Sequence, residues 1–168
     1  MTDTAVLSLY EADYYAWTQQ QAAELRKLAA RRANTPIDAA NLAEEVEDLG
    51  KSERDAVRSQ VRRIIEHLLK LEFSRAAEPR AEWEESVIDA RNTLADKLTA
   101  TLRRDAEANL RSLYEQARDK AAAGLRRHRE RDAAAALPDT CPYALDDVCR
   151  RGWYPTNRHG LDDEASGA

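Results

Sequence analysis

An all-α fold is what the sequence predicts, and three observations predict it. Alanine, leucine, arginine and glutamate dominate while strand formers are scarce. Apolar residues recur at steps of three and four along most of the chain. Only five glycines and five prolines punctuate the 168 residues. With 43% hydrophobic and 34% charged residues, a chain of this length buries one core. The expected architecture is a compact bundle of about five or six helices with a helical hairpin at its centre. It occupies residues 1–155 as one domain, and residues 156–168 form a disordered tail.

The elements follow in order. From Leu9 to about Arg32, Tyr10, Tyr14, Trp17, Leu25 and Leu28 share a helical face, so the first helix is expected to anchor the core with its rings. Thr35-Pro36-Ile37-Asp38 combines a capping hydroxyl, a proline at the first helical position and an acid, which starts the second helix at Pro36. Leu42, Val46 and Leu49 form its apolar stripe, and Gly50 supplies a left-handed stop. Ser52-Glu53-Arg54-Asp55 reads as a capping box that begins a third helix at once, and a tight hairpin follows. Val57, Val61, Ile64, Ile65, Leu68, Leu69 and Leu71 make that third helix the most apolar element.

Pro79 closes the next connection, and Trp83, Val87, Ala90, Leu94 and Leu98 define a fourth helix. Leu102, Ala106, Leu110, Leu113 and Ala117 continue the stripe into a fifth. No Gly or Pro breaks the chain near Thr99 to Thr101, but closing a core favours a turn there. Pro142 restarts a short helix to about Arg150, with Tyr143, Leu145, Val148 and Trp153 as its packing residues. The tail TNRHGLDDEASGA offers no apolar anchor.

A formal charge of −5 and the absence of an uncompensated positive field argue against general nucleic-acid or anionic-membrane affinity. The stretch MTDTAVLSLY has no basic region and no apolar run of signal-peptide length, and no run approaches membrane-spanning length, so a cytoplasmic protein is expected. Cys141 and Cys149, eight apart and outside any CxxC pair, read as unpaired thiols of a reducing compartment.

Several strings taken together carry a family resemblance: Tyr10 with the DYYAWTQQQ run from Asp13 to Gln21, NLAEEVEDLGKSE from Asn41 to Glu53, and HLLK from His67 to Lys70. Trp83 with Arg91, Tyr114 with Ala117 and Arg118, and CPY from Cys141 to Tyr143 complete the set. Over roughly Leu9 to Pro155 the chain resembles DUF29, a bacterial all-helical family of unknown function. The resemblance implies a small helical fold and supplies no activity. Where the family usually carries Ser-Pro-Ser-Leu between its fourth and fifth helices, this chain has Thr99-Ala100-Thr101-Leu102.

Asn41, Glu45 and Asp48 share one strip of the second helix, with Ser52 following across the break, and if the hairpin forms this edge lies opposite a largely cationic strip of Gln60, Arg63, His67 and Lys70. Glu45 and Asp48 with His67 and Lys70 are then the candidate acid/base residues, and Glu44, Glu45 and His67 the candidate metal ligands. The plainer reading makes them interhelical ion pairs that fix register. Glu-x-x-His does not occur, so no cofactor is expected, and a divalent metal enters only with the enzyme alternative. Arg126 to Arg131 reads as a solvated helix end. A thiol at Cys141, just before a helix start, invites comparison with activated cysteines, but no base partner is evident. The sequence therefore favours a non-enzymatic protein-interaction or regulatory module, by a protein partner or self-association. The alternative is a small metal-dependent or acid/base enzyme.

Overall fold

A computed structural model describes residues 9–31 and 34–164, and every element in it is helical. A helical turn at residues 9–12 precedes α1 (Tyr14–Ala30), α2 (Ala39–Phe73), α3 (Arg80–Lys97), α4 (Ala100–Ala108) and α5 (Leu110–Arg127). Three short helices follow, α6 (Arg131–Ala135), α7 (Leu145–Cys149) and α8 (Leu161–Glu164). None of the described helices is long and apolar enough to cross a membrane. The chain groups into two units. One is the described part of residues 1–57 with Lys97–Asp105; the other is Arg58–Asp96 with the described residues from Ala106 onward.

The central correction concerns Gly50. No hairpin forms there, because α2 is one helix of 35 residues running through it. Its neighbours are strong helix formers, and one interior glycine costs only about 1 kcal/mol against alanine. Gly50 serves close packing in the first unit instead: a Cβ there would stand 2.1 Å from Thr18 Oγ1 and 3.1 Å from Thr18 Cβ. α2 also starts later than Pro36. Asp38 is its cap, accepting from the backbone N–H of Asn41 at 3.2 Å, while Thr35 Oγ1 only holds the turn before it through Ile37 N.

Asp13 organises the first unit. It interrupts the helical residues after position 12, and its Oδ1 accepts from Ala16 N at 2.9 Å to cap α1. Its Oδ2 accepts from Thr101 N at 3.0 Å, so one carboxylate caps the start of α4 as well. Thr99 Oγ1 completes that start by accepting from Leu102 N, which supplies the break near Thr99 without a proline. The aromatic face of α1 does not form the expected core. Tyr10 is 49% exposed, Tyr14 and Trp17 are half-buried, and the three rings pack on one another with centroids 4.8 to 5.7 Å apart. Small residues, Thr18 and Ala22, are what α1 buries.

The second unit holds the apolar core that the periodicity predicts. Val57, at the edge of the first unit, and then Val61, Ile64, Ile65, Leu68, Leu69 and Leu71 of α2 are all at most 1% exposed. Val87, Ala90 and Leu94 of α3, Leu113 and Ala117 of α5, and Leu145 and Val148 of α7 are also buried. α4 and α5 are separate helices, divided at Asn109. α5 ends in a Schellman arrangement: Glu130 N donates to Leu125 O and Arg129 N to Arg126 O, with Arg129 left-handed at φ 63°. A residue with a Cβ pays about 1–2 kcal/mol there. The last short helix before the tail begins at Leu145, not Pro142.

The tail is a further correction over residues 156–164, and residues 165–168 lie outside the described residues. Asn157 is 3% exposed, and its amide donates to Leu71 O at 2.7 Å and Ser74 O at 2.9 Å. Arg158 N donates to Glu72 O at 2.9 Å, His159 Nε2 lies 3.2 Å from Phe73 O, and Arg80 Nη1 donates to Leu71 O. The carbonyls that end α2 would otherwise be orphaned. Residues 157–159 hold the segment by supplying polar partners, which an apolar pattern does not reveal.

Candidate functional site

The facing strips require the hairpin, and the unbroken helix removes it. Glu45 and His67 lie on the same helix, 22 residues apart in sequence. Glu44, Glu45 and Asp48 are exposed, and Asp48 pairs with Lys51 at 3.0 Å on its own helix. No group of three or more His, Cys, Asp or Glu positioned to hold a metal occurs among the described residues.

The same correction exposes an apolar face in the first unit. Ala43, Gly50 and Val57, seven apart, form the buried line of this part of α2. Leu42, Val46 and Leu49 lie beside that line, with Leu42 44% and Leu49 52% exposed and Val46 half-buried. Ile37, just before α2, is 51% exposed. Glu45 flanks the stripe and has no ion-pair partner among the described residues.

In the second unit the cationic strip of α2 is a packed polar layer. Lys70 is buried, and its Nζ meets Glu66 Oε1 at 2.5 Å. Gly124 of α5 makes room for it, since a Cβ there would fall 2.7 Å from Lys70 Cε. Arg63 Nε donates to Ser86 Oγ of α3 at 3.0 Å. Burial first, then the Lys70 ammonium, drives the His67 imidazole down to about 4 against the weaker pull of Glu66. The ring is therefore neutral at pH 7 and a feeble proton acceptor. Its Nδ1 and the Oε1 of Gln60 are buried with no protein partner.

Cys141 carries a free thiol whose Sγ lies 3.3 Å from Tyr143 O. Burial pushes that thiol up, the opposite of an activated nucleophile. Tyr143 donates to Glu72 Oε2 at 2.6 Å; burial, then this bond to a carboxylate, raises its phenol far above the ordinary value. Glu72 Oε1 also accepts from Arg158 Nε at 3.0 Å.

The sequence profile of the family described as "Domain of unknown function DUF29" matches residues 9–154. The chain belongs to the DUF29 family. Among solved structures it is similar to an alpha-helical protein of unknown function from Rhodospirillum rubrum, at 28% identity and a TM-score of 0.76. The likeness covers 94% of this chain and 95% of that one. No curated protein matches it.

The strings that carry the DUF29 resemblance separate in the structure into packing residues and a surface. Arg91 is 3% exposed and caps α7, donating from Nε to Val148 O at 2.9 Å and from Nη2 to Asp147 O at 3.1 Å. Tyr114 donates to Pro138 O, and Arg118 reaches Leu137 O and Asp139. The stretch from Asn41 to Glu53 is the one that presents the exposed stripe. Sequence reasoning missed Asp13, Arg91 and Asn157 as organising residues. Asp13 had a signal, an aspartate directly before a helical run; Arg91 and Asn157 act on carbonyls 56 and more residues away and had none.

Proposed function

We propose that this DUF29 chain is a non-enzymatic interaction module that docks a partner protein through the Leu42, Val46 and Leu49 face of α2. The observation that carries the reading is that stripe: three apolar side chains at steps of four and three, two of them 44% and 52% exposed, beside an already buried helical line. Amphipathic helices recognise one another through anchors at this spacing. Covering the exposed part of each leucine contributes about 1 kcal/mol at roughly 25 cal/mol per Å². The flanking carboxylate of Glu45 favours a partner whose own apolar helix carries lysine or arginine at its margins. It disfavours a second copy of the same face, which would bring like charges together.

The test pairs Leu42→Asp with Leu49→Asp in one variant. Both sites are exposed, so the melting temperature should stay within about 2 °C of wild type. A partner captured by the wild-type chain and reconstituted with it as purified proteins should bind the variant at least tenfold more weakly. An Ile88→Asp control, at an exposed site on α3, should leave the affinity unchanged. Equal affinity for wild type and the double variant would refute the assignment.

A further inference from the structure

We propose that the arginines around the end of α5 form a binding site for a small phosphate-bearing anion, independent of the docking face. Arg75, Arg129 and Arg131 line one surface cavity of about 290 Å³ with Glu130, Asp132 and Ala133. None of the three guanidinium groups has a carboxylate or hydrogen-bond partner among the described residues.

Glu130, the acid closest to them in sequence, is already committed. Its Oε2 accepts from Ser74 Oγ and its Oε1 from Arg75 N, both at 2.5 Å. Those bonds fix the backbone of Arg75 beside the α5 terminus and leave its guanidinium unengaged. Asp132 is the one remaining carboxylate on the wall, so three cations face two acids, one of which is spent.

The backbone adds a second argument. Arg129 is the only non-glycine residue of positive φ among the described residues, at 63°. Glycine fits that helix-stop position without strain. An arginine there gives up stability and places a guanidinium at the rim of the cavity, and residues held in such conformations cluster where ligands are gripped. Guanidinium forks match phosphate oxygens in pairs, which makes arginine the side chain suited to this anion. The cavity has room for phosphate or a short phosphate monoester. His128, which lines a separate cavity with Glu82, is not part of the site.

The experiment is thermal unfolding of the full chain in inorganic phosphate, in glycerol phosphate, and in sodium chloride at matched ionic strength. Phosphate at about ten times its dissociation constant should raise the melting temperature by roughly 3 °C over chloride. A larger rise with glycerol phosphate than with phosphate would assign the site to a monoester, and an equal rise to the free anion. Arg129→Gly should melt higher than wild type without phosphate and lose most of the phosphate-specific rise, because strain and binding reside in one side chain. Arg131→Gln should weaken phosphate binding at least fivefold with an unchanged baseline. Equal melting of wild type in phosphate and chloride would overturn the site, as would an Arg129→Gly protein that keeps the full rise. Tight, steeply salt-dependent binding of an oligonucleotide by the same arginines would overturn the small-anion assignment in favour of nucleic acid.

Discussion

Replacing Gly50 by alanine tests the packing of α1 on α2 through the sign of its effect. A Cβ at position 50 would lie 2.1 Å from Thr18 Oγ1, 3.1 Å from Thr18 Cβ and 3.1 Å from Gln19 Nε2. Relief requires the hydroxyl to retreat by about 1 Å, since non-bonded carbon and oxygen do not approach so closely. Thr18 is fully buried and its hydroxyl donates to Tyr15 O at 2.7 Å, so rotation surrenders that bond and turns a methyl group into the same space. Overpacking costs about 1–3 kcal/mol and the lost hydrogen bond about 1 kcal/mol. The helix gains about 1 kcal/mol from alanine over glycine. The net is a loss of about 1–3 kcal/mol, or a fall of about 6 °C in the melting temperature followed by circular dichroism. In a Thr18→Ala background the clashing oxygen is gone, and Gly50→Ala should become neutral or stabilising, a coupling of about 2–4 kcal/mol. If Gly50→Ala instead melts higher in the wild-type background, α1 does not lie against Gly50 and the packing described for the first unit is wrong.

Acidification should weaken the fold in two stages. His67 falls from an ordinary 6.5 to about 4 in the folded chain, so its contribution is complete above pH 6.5 and is lost as pH falls through about 4. Its size is about 1–2 kcal/mol after allowance for partial exposure of the ring. His67→Gln should flatten the urea midpoint over that interval, and an unchanged slope would contradict the reading. Asp13 acts lower: burial raises its carboxyl, but the hydrogen bonds from Ala16 and Thr101 together outweigh that and hold it below the ordinary value. Its stabilisation is present above the ordinary 3.8 and disappears as pH falls through the depressed value. Asn157→Ala should cost about 1–2 kcal/mol by orphaning the Ser74 carbonyl and leaving the Leu71 carbonyl to Arg80 alone, measured by urea unfolding. A loss under about 0.5 kcal/mol would show that these carbonyls are satisfied without it.

Periodicity is strong where burial is one-sided and local. Val61 through Leu71, and the Val87, Ala90 and Leu94 stripe, were legible because each is a helical face buried against apolar neighbours. Gly50 misled because two sound local signals, a glycine and then Ser52-Glu53-Arg54-Asp55, matched a helix stop and restart. Local chemistry cannot distinguish a glycine that ends a helix from one that admits a neighbouring helix; Thr18 decides it, and Thr18 is 32 positions away. The same error assigned Leu42 and Leu49 to the core when they face solvent. The tail was unreadable for a related reason, because Asn157 is anchored by donating to carbonyls that any sequence possesses. The arginines of 126 to 131 were visible as a run, but the participation of Arg75 depends on Glu130 gripping its backbone.

The continuity of α2 decides whether the Leu42, Val46 and Leu49 face is available to a partner at all. Spin labels at the exposed positions 41 and 55, in a chain with Cys141 and Cys149 replaced by serine, measure it through their dipolar coupling. An unbroken helix places the labelled backbones about 21 Å apart at 1.5 Å per residue. A distance distribution centred near 12 Å, as two antiparallel helices packed about 10 Å apart would give, would restore the hairpin and bury the proposed docking face.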